Sequence, residues 1–328
     1  MAQPSNIYLT NSAVGIREDL SNILSNIAPW EAPFQANIGR GKAMQTRHEW
    51  QTDDLAAVNT ANAAVEGDDA ALQASSPTVR VSNITQIMTK TVVLSETLEA
   101  VDKAGRKKEL AYQLTKRGRE LNRDRESILL SNQASSAGGA TVARKLGGLP
   151  TWLTSNTNRA SDGANGGYSS GSALTVAATD STGSGRTFTE TLLKDVLQKA
   201  FVSGGDPKIL MVGPFNKQQF SNATNFPGIA ELRSSVKQSK GTQAAIVGAA
   251  DVYLGDFGDL SVVPNRFQRE REAFVLDPEY ASIATLRPLT QKPLADTGDS
   301  KKRFMVEELT LVVKNEAAHG VIADLTTT

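Results

Sequence analysis

The chain has 328 residues, no cysteine, and 35 basic against 35 acidic residues, so its formal net charge is zero. The lack of cysteine excludes disulfides and thiolate metal sites, and the balanced charge argues against a protein that binds nucleic acid through an excess of Lys and Arg. No uncharged apolar run approaches the roughly 18 residues that span a bilayer, so we expect a soluble protein, made in the cytoplasm, with no membrane partner.

Residues 1–44 are predicted to form an arm. Apolar residues recur there every three to four positions, which predicts a short helix, and they are Ile16, Leu20, Ile23, Leu24 and Ile27. Pro29 and Pro33 then break the helical pattern.

Residues 45–92 are predicted to form a long projecting hairpin. Extended, partly alternating sequence at 46–51 and 79–94 flanks a polar, alanine-rich excursion with few large side chains. Because such a segment buries little surface in an isolated chain, we expect it to need a partner surface.

A single helix is predicted over about 95–132, with Ser95 as its N-cap. An apolar stripe runs along one face, and the other faces carry dense, mixed charge. Gly105 and Gly118 are candidates for bends or close contacts. At about 1.5 Å per residue the helix would be on the order of 50 Å long, so we interpret it as a spine.

The remaining sequence predicts a low-complexity surface loop at 155–187 and then an α/β pattern. Helices are expected at 188–204 and 215–223, and a buried strand between them. Further strands are expected within 252–267, 272–286, 303–314 and 320–324.

No catalytic motif has its required context. The G-x-S-x-G pattern at 167–171 places Ser169 in a low-complexity loop, whereas a nucleophile elbow needs a strand before the serine and a helix after it. A triad would have to recruit His48 or His319, the two histidines of the chain. His48-Glu49 also lacks the second histidine of a zincin motif, because Thr52 stands there. We therefore predict no catalytic, cofactor-binding or metal-binding residues and no cofactor.

Two charged sets are candidates for contacts between subunits. An acidic set could in principle hold a hard cation, but a patch that forms salt bridges to a neighbour is favoured; it consists of Asp53, Asp54, Glu66, Asp68 and Asp69. The second set lies on the predicted helix, where basic side chains could touch DNA, although interspersed acids favour solvation or contacts between subunits; it consists of Arg106, Lys107, Arg117 and Arg123.

Three segments resemble a family of phage major head proteins. Residues 15–57 match its opening through a helix, a Pro-x-x-x-Pro-Phe turn and the sequence His-Glu-Trp-Gln. Residues 251–267 and 275–325 are similar to its closing strands. The similarity covers most of the chain and is lowest at 155–187.

The resemblance implies an α+β protein with the Hong Kong 97 type of capsid fold. Its expected parts are an N-terminal arm at 1–44, an extended loop at 45–92, a peripheral domain at 93–150 and 286–328 that carries the spine helix, and an axial domain at 151–285. The lysine–asparagine crosslink of some relatives is not implied by any residues here.

The resemblance further implies a major capsid protein that is not an enzyme. It would assemble into hexamers and pentamers of an icosahedral head around double-stranded DNA, touched by non-specific contact. A separate scaffolding protein and a portal are the implied partners, and a decoration protein is a further candidate; assembly is expected in the host cytoplasm, with a final location in the virion. The alternatives are an encapsulin-like nanocompartment shell and a cytoplasmic hydrolase that uses Ser169.

Overall fold

The computed structural model describes residues 29, 31–67, 69, 75–228 and 251–327. The arm helix predicted around residues 16–27 lies outside them. The helices are α1 (Pro33–Asn37), α2 (Glu96–Ala100), α3 (Glu109–Leu129), α4 (Glu190–Val202) and α5 (Pro214–Phe220). The strands are β1 (Gly39–Lys42), β2 (Arg47–Thr52), β3 (Val79–Ile84), β4 (Gln86–Ser95), β5 (Thr157–Asn158), β6 (Gly167–Ser169), β7 (Leu174–Val176), β8 (Ile209–Val212), β9 (Val252–Gly255), β10 (Gly258–Pro264), β11 (Ala273–Leu276), β12 (Ala281–Pro293), β13 (Ser300–Val313) and β14 (Gly320–Ile322).

A four-stranded sheet has the order β1-β12-β13-β4. The long strand β13 pairs antiparallel with both of its neighbours, and β1 runs parallel to β12. Alternate residues of β4 point toward α3, where Met88 and Val92 are buried while Ile87 and Val93 are exposed. At β4, therefore, one face of the sheet packs on the helix and the other is exposed, whereas β13 is buried at every residue from Met305 to Val313.

A six-stranded mixed sheet has the order β5-β14-β11-β8-β10-β9. Its central strands β8 and β11 are buried along their whole length, as expected for apolar runs covered on both faces. Residues from α4 and α5 pack on one face, and side chains from the end of α3 join the cluster on the other. The cluster that contains the end of α3 also includes residues of the four-stranded sheet, so it connects the two sheets.

The predicted continuous helix over 95–132 is wrong, because the chain forms two helices there. Ser95 caps α2 as predicted, accepting a hydrogen bond from the Leu98 amide. The chain then leaves the helical conformation at 101–108, where Gly105 has φ +76°. The Glu99 carboxylate accepts hydrogen bonds from the Glu109 and Leu110 amides. It thereby caps the first turn of α3, which stabilises the break.

The predicted hairpin is shorter than 45–92. Strands β2 and β3 pair from Arg47–Ile84 to Thr52–Val79, but β4 turns away to pair with β13. The last residues of the predicted arm also join the sheet, as strand β1, and Pro33 begins α1 instead of only ending a helix.

The structure differs from the sequence predictions at three further points. The segment 155–187 holds the short strands β5, β6 and β7 and is more structured than a surface loop. The predicted boundary at 285/286 falls inside β12, and β14 belongs to the six-stranded sheet instead of lying with the peripheral residues. The helices α4 and α5 and the strands β8 to β11, β13 and β14 lie where the sequence predicts them, whereas β12 continues to Pro293, past the predicted end at residue 286.

Candidate functional site

The catalytic candidates do not form a site. Ser169 ends β6 and is followed by a turn and β7, so the strand-to-helix elbow is not formed. His319 is completely buried, and its Nδ1 accepts a hydrogen bond from the Asp277 amide. Burial lowers the pKa of His319 to about 4, so this side chain is a neutral packing residue. His48 lies on β2 beside the Trp50 ring, 6.0 Å between centroids.

Among the residues that the structure describes, no group of three or more His, Asp or Glu side chains could hold a metal ion. The helices of the described segments include none that is long and apolar enough to cross a membrane. The candidate functional regions are therefore exposed surfaces.

Three aromatic rings fix the base of the β2–β3 hairpin on the body of the protein. Trp50 of β2 contacts Trp152 with ring centroids 5.4 Å apart, and Trp152 stacks on Tyr168 at 5.7 Å and 6°. Ser82 of β3 donates a hydrogen bond to the Ala173 carbonyl at 3.0 Å. Aromatic pairs of this kind add about 0.5–1.5 kcal/mol beyond their area burial, so the hairpin leaves the body in a fixed direction.

Buried Asn83 adds a second anchor to the hairpin base. Its Nδ2 donates to the carbonyls of Leu311 and Gly147 at 2.7 and 3.2 Å, and its Oδ1 accepts from the Gly147 amide at 2.8 Å. These bonds join β3 to β13 and to the chain beyond α3.

The other end of the hairpin, residues 53–67, is exposed throughout. Leu55, Val58 and Val65 are 99%, 93% and 76% exposed. Large apolar side chains exposed on a projecting segment make it a candidate contact surface for another molecule.

The predicted acidic set lies on this exposed segment. Asp53, Asp54 and Glu66 are exposed and form no ion pair within the described part of the chain. Asp69 is exposed as well, and Asp68 lies outside the described residues.

The predicted basic set is divided by the structure. Arg106 pairs with Glu109, and Arg117 pairs with Glu120 at 2.6 Å. The Arg123 guanidinium lies 5.6 Å from the Phe267 ring centroid, whereas Lys107 is exposed. Two of the four candidates thus already have a carboxylate partner in their own chain.

Sequence reasoning missed an exposed apolar group on the six-stranded sheet. The ring centroids of Phe201 and Phe257 are 4.9 Å apart, and Val202 and Leu254 are also exposed. A signal was present for Val202, which falls outside the three-to-four-residue spacing of the buried residues of α4. Phe201 lies four residues after buried Leu197 and continues that spacing, so periodicity does not reveal its exposure.

Glu126 forms a joint between three parts of the chain. Its carboxylate is fully buried and accepts hydrogen bonds from the Phe34 amide at 2.7 Å, the Gln35 amide at 3.2 Å and the Asn265 Nδ2 at 2.7 Å. Burial raises the pKa of Glu126, and these donors oppose the rise. The joint holds α1, α3 and the end of β10 together.

Comparisons with known proteins agree with this architecture. The family model described as SU10 major capsid protein matches residues 3–326. The chain is 27% identical to the major capsid protein of Escherichia phage Phieco32, over 98% of this chain and 97% of that protein.

Solved structures share the fold at low sequence identity. A structure from Mycobacterium phage Che8 has a TM-score of 0.57 at 12% identity, covering 95% of this chain and 98% of that one. A structure of the major capsid and decoration proteins of Phage G has a TM-score of 0.54 at 11% identity, covering 99% and 100%. The capsid of a native GTA particle reaches 0.60 at 10% identity, covering 97% and 98%.

The fold and the exposed projections define a phage major capsid protein with the Hong Kong 97 type of fold, a structural subunit of the virion shell. The chain belongs to the family of SU10 major capsid proteins. The relatives are phage capsid proteins, and so they do not support the encapsulin alternative.

Proposed function

We propose that this capsid protein assembles into hexamers and pentamers of an icosahedral head that encloses double-stranded DNA, and that it acts without enzymatic turnover. Assembly would take place in the host cytoplasm with a separate scaffolding protein and a portal. A decoration protein would bind the finished shell, and the packaged DNA would touch the protein by non-specific contact.

The observation that carries this proposal is the contrast between the two ends of the β2–β3 hairpin. Its base is fixed by Trp50, Trp152 and Asn83, while Leu55 and Val58 at its other end are 99% and 93% exposed. An ordered projection that leaves apolar surface in water is stabilised when a neighbouring copy covers it. We therefore infer that the tip reaches over an adjacent subunit.

We infer that the two sheets belong to different domains of the capsid fold. The four-stranded sheet with α3 would form the peripheral domain, and the six-stranded sheet with α4 and α5 the axial domain. The exposed Phe201 and Phe257 rings would then lie near the local symmetry axis of a capsomer, where axial domains meet.

Electron microscopy of the protein expressed alone and together with its candidate scaffolding protein tests the proposal. Closed shells, or rings of five and six subunits, are expected. Deletion of residues 53–67 should abolish these shells, and so should their replacement by a Gly/Ser linker of equal length, which separates the effect of the side chains from that of loop length. Intact shells from both variants, or a stable monomer from the unaltered protein under both conditions, would contradict it.

A further inference from the structure

Charge is segregated along the first part of the chain. Residues 32–48 contain three basic residues and no acid, whereas residues 53–78 contain five acids and no base. We name two surfaces accordingly. The basic edge is residues 39–47, with Arg40, Lys42 and Arg47, and the acidic tip is residues 53–67, with Asp53, Asp54 and Glu66.

Strand β2 keeps the two surfaces apart within one chain. It starts at Arg47 and ends at Thr52, so the strand holds its basic and acidic ends about 20 Å apart. No ion pair joins Arg40, Lys42 or Arg47 to any carboxylate in the described residues. Arg47 and Asp53 of one chain are therefore too far apart to form an ion pair.

The basic edge is also an open edge of a sheet. Strand β1 pairs with β12 on one side and with no described strand on the other. Its four residues are all exposed, and a side chain added at Gly41 would meet open space. Met44 beside it is 72% exposed. An edge of this kind accepts an additional extended segment through backbone hydrogen bonds.

We propose that the acidic tip of one subunit docks on the basic edge of a neighbouring copy of the same chain. Asp53 and Asp54 face Arg40 and Lys42 of that copy, and Leu55 of the tip packs near its Met44. The inference rests on the proposed shell assembly and names the surface that receives the hairpin.

The helix α3 is the competing basic surface, and its charges fit the tip less well. Arg117 already pairs with Glu120, and Asp124 of α3 binds Lys90 at 2.6 Å. A mixed surface of this kind repels an acidic segment about as much as it attracts it. Residues 32–48 contain no acid to oppose docking, and Glu307, which lines the same cavity as Arg40, is already paired with Arg125 at 3.2 Å.

Charge reversal tests the pairing, since like charges placed opposite one another disfavour a contact. The variant Asp53→Lys/Asp54→Lys and the variant Arg40→Glu/Lys42→Glu should each need at least about tenfold more protein to form shells at low salt. An equimolar mixture of the two should restore rings of six subunits, because the two variants can alternate around such a ring and every tip then meets an opposite charge on its neighbour. Rescue by mixing cannot arise from a contact within one chain.

A matched control uses Lys107→Glu/Lys108→Glu, which reverses two exposed charges at the start of α3. Mixed with the tip-reversed variant, it should not restore assembly. Rescue by this control, or normal assembly of either reversed variant alone, would overturn the inference. If the unaltered protein assembles but the mixture forms no rings of six, this inference fails and the proposed function stands. If the unaltered protein forms neither shells nor rings, both fail.

Disulfide trapping gives an independent readout, because the chain has no cysteine of its own. Shells of Lys42→Cys/Leu55→Cys should give a ladder of covalent dimers and larger multimers on mild oxidation. Shells of Lys107→Cys/Leu55→Cys should stay monomeric in a denaturing gel. Monomers from the first variant, or a ladder from the second alone, would contradict docking on the basic edge.

Discussion

Two buried titratable residues lie at opposite ends of the β11–β14 pair and have pKa values shifted by burial. Glu272 precedes β11, and burial raises its pKa to about 7 although Arg269 pairs with one carboxylate oxygen at 2.7 Å. His319 precedes β14 and has a lowered pKa. Both shifts mean that the charged form of the side chain is disfavoured in the folded protein.

The Glu272 shift predicts a pH dependence of stability. The folded protein holds this proton more tightly than the unfolded chain, so the wild-type protein loses stability as the pH rises from about 4.5 to about 7 and no more above that. The substitution Glu272→Gln removes this loss. Its stability relative to wild type should therefore increase by roughly 3 kcal/mol between pH 4.5 and pH 8.

Urea unfolding of unassembled wild-type protein and of Glu272→Gln at several pH values measures this difference. The subtraction removes the contribution of His319, which acts in the opposite sense. The folded protein keeps this imidazole neutral while the unfolded chain protonates it, so stability is lost as the pH falls from about 6.5 toward 4. A difference between the two proteins that does not change with pH would show that Glu272 is not desolvated.

At the scale of elements, the Glu126 joint decides how the end of the arm is attached to the body. Three donors converge on two carboxylate oxygens, and the amide of Gln35 alone reaches the second oxygen. The same Gln35 donates from its Nε2 to the Asn122 carbonyl at 3.1 Å and accepts from Arg125. The segment is therefore held by one face of α3.

The substitution Glu126→Gln should destabilise the protein by about 1–3 kcal/mol. Glutamine replaces one of the two acceptor oxygens by an NH2 group, which would face an N–H donor of Phe34, Gln35 or Asn265 and leave it without an acceptor. Hydrogen exchange should increase in residues 31–42 in particular. The control Glu120→Gln removes a surface carboxylate from the same helix and should cost at most about 1 kcal/mol. Equal effects of the two substitutions would show that the joint does not hold the arm.

The elements that sequence reasoning locates well are short apolar runs bounded by turn residues. Strand β8 follows Pro207 and ends before Gly213-Pro214, and the helix α4 has a clear apolar stripe. The break between α2 and α3 was not predictable from periodicity, since it depends on the left-handed conformation of Gly105 and on the Glu99 side chain reaching the next helix.

The candidate site is predictable in composition but not in contacts. The acidity and exposure of residues 53–67 follow from their sequence. The contact between Trp50 and Trp152 joins positions about a hundred residues apart, and β4 pairs with a strand more than two hundred residues away. Non-local pairing of this kind leaves no local sequence pattern. The sequence therefore predicts a hairpin that includes β4, although β4 pairs with β13.

At the scale of the whole molecule, apolar surface is divided between a buried core and a projecting tip. Leu129 is completely buried in the cluster that connects the two sheets, whereas Leu55 is 99% exposed. The same residue type therefore serves the folding of the subunit at one position and, in our proposal, the association of subunits at the other.

The substitution Leu55→Ser should separate these two contributions. It should change the unfolding free energy of the unassembled subunit by less than about 0.5 kcal/mol, because the side chain buries almost nothing there. In a shell it should weaken each contact by about 1.5–3 kcal/mol if a neighbour buries the side chain. That corresponds to a roughly tenfold to hundredfold weaker contact, measured as a higher protein concentration at half-assembly by light scattering.

The control Leu129→Ser should behave in the opposite way. Truncating a fully buried leucine and burying a hydroxyl group should cost at least about 3 kcal/mol of subunit stability, which urea unfolding detects before any assembly is attempted. If Leu55→Ser forms shells at the wild-type concentration, the tip does not bury this side chain on a neighbour. If it instead unfolds as readily as Leu129→Ser, the tip packs on its own subunit, because only a side chain buried within the subunit can change subunit stability by that amount.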